Sequence, residues 1–176
     1  STIMGYAGIC DPNVQNNSDA YFHAVSLNQM FSFVNSGATC SSNIPNGNTP
    51  PVITSITPYT IPAGTPFVLT ATATDANGDS LTYCWEQTNA GTTTATPNTT
   101  STTNPNFRSV APSSSPTRYF PSLNNAYSAW EVLPTVTRGM NFALTVRDNR
   151  SPNGGQTSRQ NVTISSTAAA GPFVVT

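Results

Sequence analysis

The chain has 176 residues, a formal charge of −1 and only 7% charged side chains, against about 25% in an average soluble domain; Thr, Ser and Asn, about two residues in five, supply the polar surface instead. The length fits one domain of roughly 100–200 residues with a short extra piece, and no stretch approaches the ~20 apolar residues that span a bilayer. All six basic residues are scattered Arg, which excludes a phosphate-neutralising patch and with it electrostatic nucleic-acid binding.

Residues 1–18 read as loop, with Gly5, Gly8, Pro12 and a run of Asn. A helix is expected next, capped by Ser18 or Asp19 and closed at Gly37. Its Phe22, Leu27, Met30, Phe31 and Val34 fall largely at helical spacing and form one apolar stripe, expected to pack in the core. Residues 41–51 are a Pro/Gly-rich polar linker.

Beyond the linker the pattern turns to strands. Short extended pieces are expected at 53–56 and 59–61, followed by a turn at 62–65. Residues 67–74 alternate with period two, placing Thr70, Thr72 and Thr74 on one face and Leu69, Ala71 and Ala73 on the other. Asp75 to Asp79 is a tight turn and 81–86 another strand; 88–106 is a Thr/Asn-rich loop; strands at 118–120, 130–133, 140–146 and 160–164 complete the set. About seven short strands with regular turns indicate a mainly β fold, an immunoglobulin-like or cadherin-like β-sandwich over residues 52–166. Trp85 matches the buried tryptophan of such sandwiches, and residues 167–176 read as a linker to a following domain.

The opening Thr2-Ile3-Met4-Gly5-Tyr6 resembles the Met-turn, Ser/Thr-x-Met-x-Tyr, of the metzincin zinc peptidases. The blocks TIMGYAGIC, YFHAVSLNQM, YTIPAGTPFVLTATATDANGDSLTYCWEQ and WEVLPTVTRGMNFALTVRDN are similar to those of secreted bacterial peptidases of reprolysin-like type, over most of the chain. The resemblance implies that residues 1–40 are the C-terminal remnant of a catalytic domain, holding the Met-turn and last helix. It implies Met4 as the apolar floor beneath a zinc site, Tyr6 as a switch tyrosine near the oxyanion, and peptide-bond hydrolysis of protein or peptide substrates by the parent. Zinc hydrolysis needs a ligand set and a Glu base, typically H-E-x-x-H on a helix. His23 is the single His, so the zinc ligands belong to an upstream catalytic domain and this chain alone is expected to be inactive. A secreted or cell-surface bacterial location follows from the resemblance and suits the composition. The competing reading is a non-catalytic adhesion or carbohydrate-binding module.

Within the chain, the strongest chemical site is Asp75-Ala-Asn-Gly-Asp79. Hard oxygen donors alternating around a glycine turn suit Ca²⁺, with Asp75, Asn77, Asp79, Glu86, Asp148 and Asn149 as candidate ligands. The alternative is a pair of Asx turns with solvated carboxylates. Cys10 and Cys40 flank the helix, about 30 residues apart, and a disulfide closing that loop would contribute roughly 3–4 kcal/mol. Cys84 reads as a small buried hydrophobe, and His23 as a structural or surface residue. Trp130, Tyr119, Phe120 and Tyr127 are candidates for an exposed aromatic platform, with core packing as the alternative.

Overall fold

The computed structural model describes residues 2–9, 11–37, 40, 42, 44–91, 96–124, 129–152 and 154–172. Among these, one helix, α1 (Ala24–Ser36), precedes eight strands: β1 (Val52–Ile53), β2 (Tyr59–Pro62), β3 (Phe67–Thr70), β4 (Ala73–Thr74), β5 (Thr82–Gln87), β6 (Thr117–Phe120), β7 (Arg138–Arg147) and β8 (Thr157–Thr167). The fold is mainly β, as the alternation and turn spacing require. The strands form a four-stranded sheet in the order β2-β8-β7-β5 and two pairs, β1-β4 and β3-β6. All pairings are antiparallel except β2 with β8, which run parallel.

Period-two alternation aims one face of each strand inward. Phe67 and Leu69 of β3, Phe120 of β6, Trp85 of β5, Phe142, Leu144 and Val146 of β7, and Val162 and Ile164 of β8 share one core. Phe67 stacks on Phe120 at 5.0 Å, and Phe142 meets Phe120 edge-on at 4.9 Å, joining the β3-β6 pair to the four-stranded sheet. Edge-to-face and offset arrangements are the geometries that the aromatic quadrupole favours. Trp85 is buried as expected, and its indole N–H donates to the Pro116 carbonyl at 3.0 Å. The threonine face also follows the alternation, with Thr70, Thr72 and Thr74 exposed beside buried Leu69 and half-buried Ala71 and Ala73.

Several expectations are corrected. The segment 67–74 is two strands, because β3 pairs with β6 while β4 pairs with β1. Residues 130–133 form no strand; Glu131 makes only an isolated bridge with Phe107, and its buried carboxylate accepts from Arg118 at 2.6 Å. The helix starts at Ala24, five residues after Asp19, with the His23 side chain accepting the Val25 N–H at its N-terminus. Residues 19–23 are drawn out of helical geometry by other bonds: Tyr21 N–H donates to Asp19 O, and Tyr21 O accepts from Ile3 N–H. Gly37 does end the helix, at a close approach: a β-carbon there would lie 3.0 Å from the Phe33 ring.

The apolar stripe of α1 is not core. Only Ala24 is buried, while Phe31 is 72% and Val34 56% exposed. The helix lies against the outer face of the four-stranded sheet, opposite the core. That face is itself covered: Cys84 and Glu86 of β5 and Ala143 and Thr145 of β7 are all buried, although each sits on the side facing away from Trp85 and Leu144.

Candidate metal centre

The turn after β4 and the end of β7 bring three carboxylates together. Asp75, Asp79 and Asp148 each offer an oxygen within 4.8 Å of the others. Asp75 Oδ1 accepts the N–H groups of Asn77 at 2.9 Å and Asp79 at 3.1 Å, an Asx turn completed by Gly78 at φ 77°. Asp75 Oδ2 is shielded from solvent and has no hydrogen-bond partner. Asp79 Oδ2 is also shielded and without a hydrogen bond, and the Arg150 guanidinium lies 3.5 Å from it.

Asp148 is 1% exposed. Its Oδ1 accepts from the backbone of Arg150 at 3.2 Å and Gln156 at 2.8 Å, and its Oδ2 from Asn48 Nδ2 at 2.6 Å. Burial pushes this carboxyl upward, but the Arg150 N–H, the Asn48 amide, the Gln156 N–H and the Arg150 charge together outweigh it and hold it below the ordinary carboxylate value. Gly155 is required beside it, since a β-carbon there would lie 2.7 Å from Asp148 Oδ1.

Three carboxylates against a single guanidinium leave a net negative, partly shielded site with unpaired oxygens. Such a donor set fits a hard divalent cation, Ca²⁺ above all, which takes six to eight oxygens in flexible geometry. The remaining candidates divide. Asn77 faces the linker: its Oδ1 accepts from Thr49 N–H at 2.9 Å and its amide reaches Gly47 O. Asn149, at φ 54°, ties the end of β7 to the 80–82 segment through Ser80 O and Thr82 Oγ1. Glu86 lies elsewhere, on the outer sheet face beneath α1, and is no part of the cluster. Its Oε2 accepts the Ala24 N–H at 2.8 Å, and its Oε1 accepts from Ser109 Oγ.

Two participants carry no mark in the sequence. Asn48 bonds Asp148, accepts from Arg150 through its Oδ1 at 3.3 Å, and accepts from Gln156 Nε2 through its carbonyl at 2.8 Å. The linker is therefore strapped over the carboxylates rather than free. Arg150 follows Asp148 by two residues, a spacing that marks it only once the chain reversal after β7 is known.

The Met-turn-like segment stands apart. Met4 is 67% and Tyr6 89% exposed, and among the described residues no metal-binding group forms around His23. The His23 imidazole lies 3.8 Å from Glu86 Oε1. Cys40 carries an exposed free thiol, so the expected Cys10–Cys40 bridge is not seen; Cys10 lies outside the described residues. Burial, reinforced by the Glu86 charge, pushes the Cys84 thiol up to about 12 against the opposing charges of Arg147 and Arg118, and its Sγ donates to Val110 O at 3.3 Å. Such a thiol is not a nucleophile at neutral pH. Among the described residues no exposed aromatic platform forms: Phe120 is wholly buried, Trp130 is half-buried and Tyr119 is exposed, while Tyr127 lies outside the described residues.

No protein-family model and no curated protein matches the chain. Among solved structures it is similar to a nucleoside hydrolase-related hypothetical protein from Saccharophagus degradans that is associated with carbohydrate metabolism, at 20% identity and a TM-score of 0.43. The match covers 68% of this chain and 26% of that one, a likeness too partial to assign a fold or a function.

Proposed function

We propose that this chain is the accessory module of a secreted zinc metallopeptidase: an immunoglobulin-like β-sandwich, steadied by Ca²⁺, that carries the Met-turn and last helix of the catalytic domain on its outer face. The packing of the β3-β6 pair supports the sandwich, since its Phe67, Leu69 and Phe120 share one core with Trp85, Phe142 and Leu144 of the sheet β2-β8-β7-β5. A parallel β2-β8 pair beside otherwise antiparallel strands, and a buried Trp on β5, suit the immunoglobulin arrangement.

The observation that carries the reading is how the N-terminal segment is held. Its buried hydrophobic side chains, Tyr21 and Ala24, are used to grip the sheet rather than to form a core. Glu86 anchors the Ala24 N–H, and Arg147 and Arg159 donate to the carbonyls of Phe22 and Ala24. The same segment exposes the large apolar side chains of Ile3, Met4, Tyr6, Ile9, Val25 and Phe33, and exposed apolar surface is what a protein partner covers. In this reading the partner is the upstream catalytic domain, with Met4 beneath its metal and Tyr6 beside the oxyanion. Zinc held there by residues outside this chain would activate the attacking water. This chain positions the floor and the tyrosine and hydrolyses nothing by itself.

The direct test is the gene sequence upstream of the Ser1 codon. An H-E-x-x-H-x-x-G-x-x-H helix within several tens of residues supports the peptidase reading. A gene without one overturns it and leaves the cation-binding β module as the function.

A further inference from the structure

Asn77 is followed by Gly78, and both are exposed in the turn between β4 and β5. Gly78 lies at φ 77°, and a β-carbon there would meet nothing within 4 Å, so the space beside it is open. Its N–H reaches Asp75 O over 3.3 Å, longer than the usual N–H···O range. The Asn77 side-chain carbonyl accepts the Thr49 N–H at 2.9 Å, while its NH₂ reaches Gly47 O over 3.5 Å. A donor held on a carbonyl oxygen stabilises the negative charge that the oxygen takes on when its carbon is attacked. The loosely held NH₂ is the group that such an attack would expel.

Two other asparagines are built differently. Asn46 also precedes a glycine, but it is half-buried and closed into its own Asx turn, its Oδ1 accepting the Asn48 N–H at 3.0 Å. Its Nδ2 donates to Gly154 O at 3.3 Å. Asn149 precedes Arg150, whose N–H is committed to Asp148 Oδ1 at 3.2 Å.

We propose that Asn77 is a site of spontaneous deamidation. The Gly78 nitrogen, giving its proton to water, attacks Asn77 Cγ. The new C–N bond closes a cyclic imide, the Cγ–Nδ2 bond breaks, and the NH₂ takes up a proton and leaves as ammonia. Water then opens the imide at one of its two carbonyls, giving aspartate or, where the bond to the backbone carbonyl breaks, isoaspartate. Aspartate keeps the acceptor for the Thr49 N–H and adds a carboxylate to a turn that already holds Asp75 and Asp79. Isoaspartate inserts a methylene into the backbone between the Asn77 and Asp79 N–H groups that Asp75 Oδ1 holds together. It therefore opens the turn and slackens its hold on the linker at Gly47 and Thr49. The site stands apart from the cation and peptidase readings, because the reaction needs water and these residues alone.

The test is to incubate the full chain in EDTA at pH 8, where the attacking nitrogen sheds its proton more readily than in acid, both folded and in denaturing urea. Peptide mapping by mass spectrometry follows each asparagine, and an isoaspartyl methyltransferase tags the isoaspartate. In urea Asn46 and Asn77 should convert at similar rates, since each precedes glycine. In the folded chain Asn77 should stay within severalfold of its unfolded rate, while Asn46 slows by at least about tenfold, the factor for one modest increment of barrier. Asn77→Gln should leave the peptide over residues 75–79 unchanged in mass over the same period, and aged wild type should differ from fresh at the Thr49 amide resonance. A folded chain in which Asn77 keeps its amide, or in which folding protects Asn77 as strongly as Asn46, overturns the proposal.

Discussion

The carboxylate of Glu86, in β5, accepts the first backbone N–H of α1, that of Ala24, at 2.8 Å. The helix N-terminus needs acceptors for its free N–H groups, and a buried carboxylate needs donors; each supplies the other. Ser109 Oγ, bonded in turn to the Tyr21 hydroxyl at 2.7 Å, completes the shell on Oε1. A hydrogen bond to a charged group contributes about 1.5–3 kcal/mol. Glu86→Ala is therefore expected to cost about 2–3 kcal/mol, and Glu86→Gln, which keeps an acceptor for Ala24, less. The loss should be local. Hydrogen exchange at Ala24–Leu27 should accelerate while β7 and β8 stay protected; uniform acceleration would show instead that Glu86 supports the whole fold.

The cation site makes a prediction whose sign depends on Ca²⁺. Without the ion, Asp75→Asn relieves repulsion among three carboxylates and keeps the Oδ1 acceptor of the Asx turn, so stability in chelator should hold or rise. With the ion, the wild type gains about 2.7 kcal/mol at a concentration 100 times Kd, and Asp75→Asn forfeits most of that gain. Thermal melts of both proteins with EDTA and with millimolar Ca²⁺ give the comparison. Equal melting of the wild type in both conditions would refute the site.

The strands are legible in the sequence because their large apolar side chains recur every second residue: Phe67 and Leu69, and Phe142, Leu144 and Val146, all point into the core. Three of the six candidate ligands also follow from it, since Asp75 and Asp79 share a turn and Asp148 ends a strand. Glu86 does not, because alternation says which face it occupies but not what covers that face. A sheet with one face on the core usually leaves the other wet, and here the N-terminal segment buries it. The same long-range docking explains the stripe of α1. Helical periodicity locates an apolar face without naming its partner, and the face with Phe31 and Val34 overhangs a groove. Asn48 is hidden for a related reason: a Pro/Gly-rich stretch reads as free linker unless the Asp148 side chain that straps it is already in place.

The buried Cys84 thiol gives a simple chemical test. With its thiol raised to about 12 by burial and the Glu86 charge, it should resist thiol-specific reagents at pH 8 in the folded, reduced protein, while exposed Cys40 reacts promptly. Because the folded value lies above the unfolded one, stability from this group is complete below about pH 8.5 and declines as pH rises toward 12. Reagent titration in buffer and in denaturant should reveal the protected thiol only on unfolding. Rapid labelling of Cys84 in the native state would mean that the segment covering β5 opens readily.

Asp148 titrates in the opposite sense. Its folded carboxyl lies below the unfolded value of about 3.9, so it releases its proton more readily in the native state. The stability it contributes is present above about pH 4 and is lost as pH falls through the lower, folded value. Urea denaturation in chelator, followed downward from pH 6, should show a decline that Asp148→Asn flattens. The amide introduced by that substitution would keep an acceptor for the Gln156 and Arg150 N–H groups but turn its own N–H₂ toward Asn48 or lose that bond. A reduction of about 1–3 kcal/mol at pH 6 is expected, within the range for breaking a buried, charge-assisted bond. The strap should loosen with it, so limited proteolysis ought to cut the 44–50 segment faster in the variant than in the wild type. A variant with unchanged acid sensitivity and unchanged cleavage would show that Asp148 neither carries the pH dependence nor holds the linker.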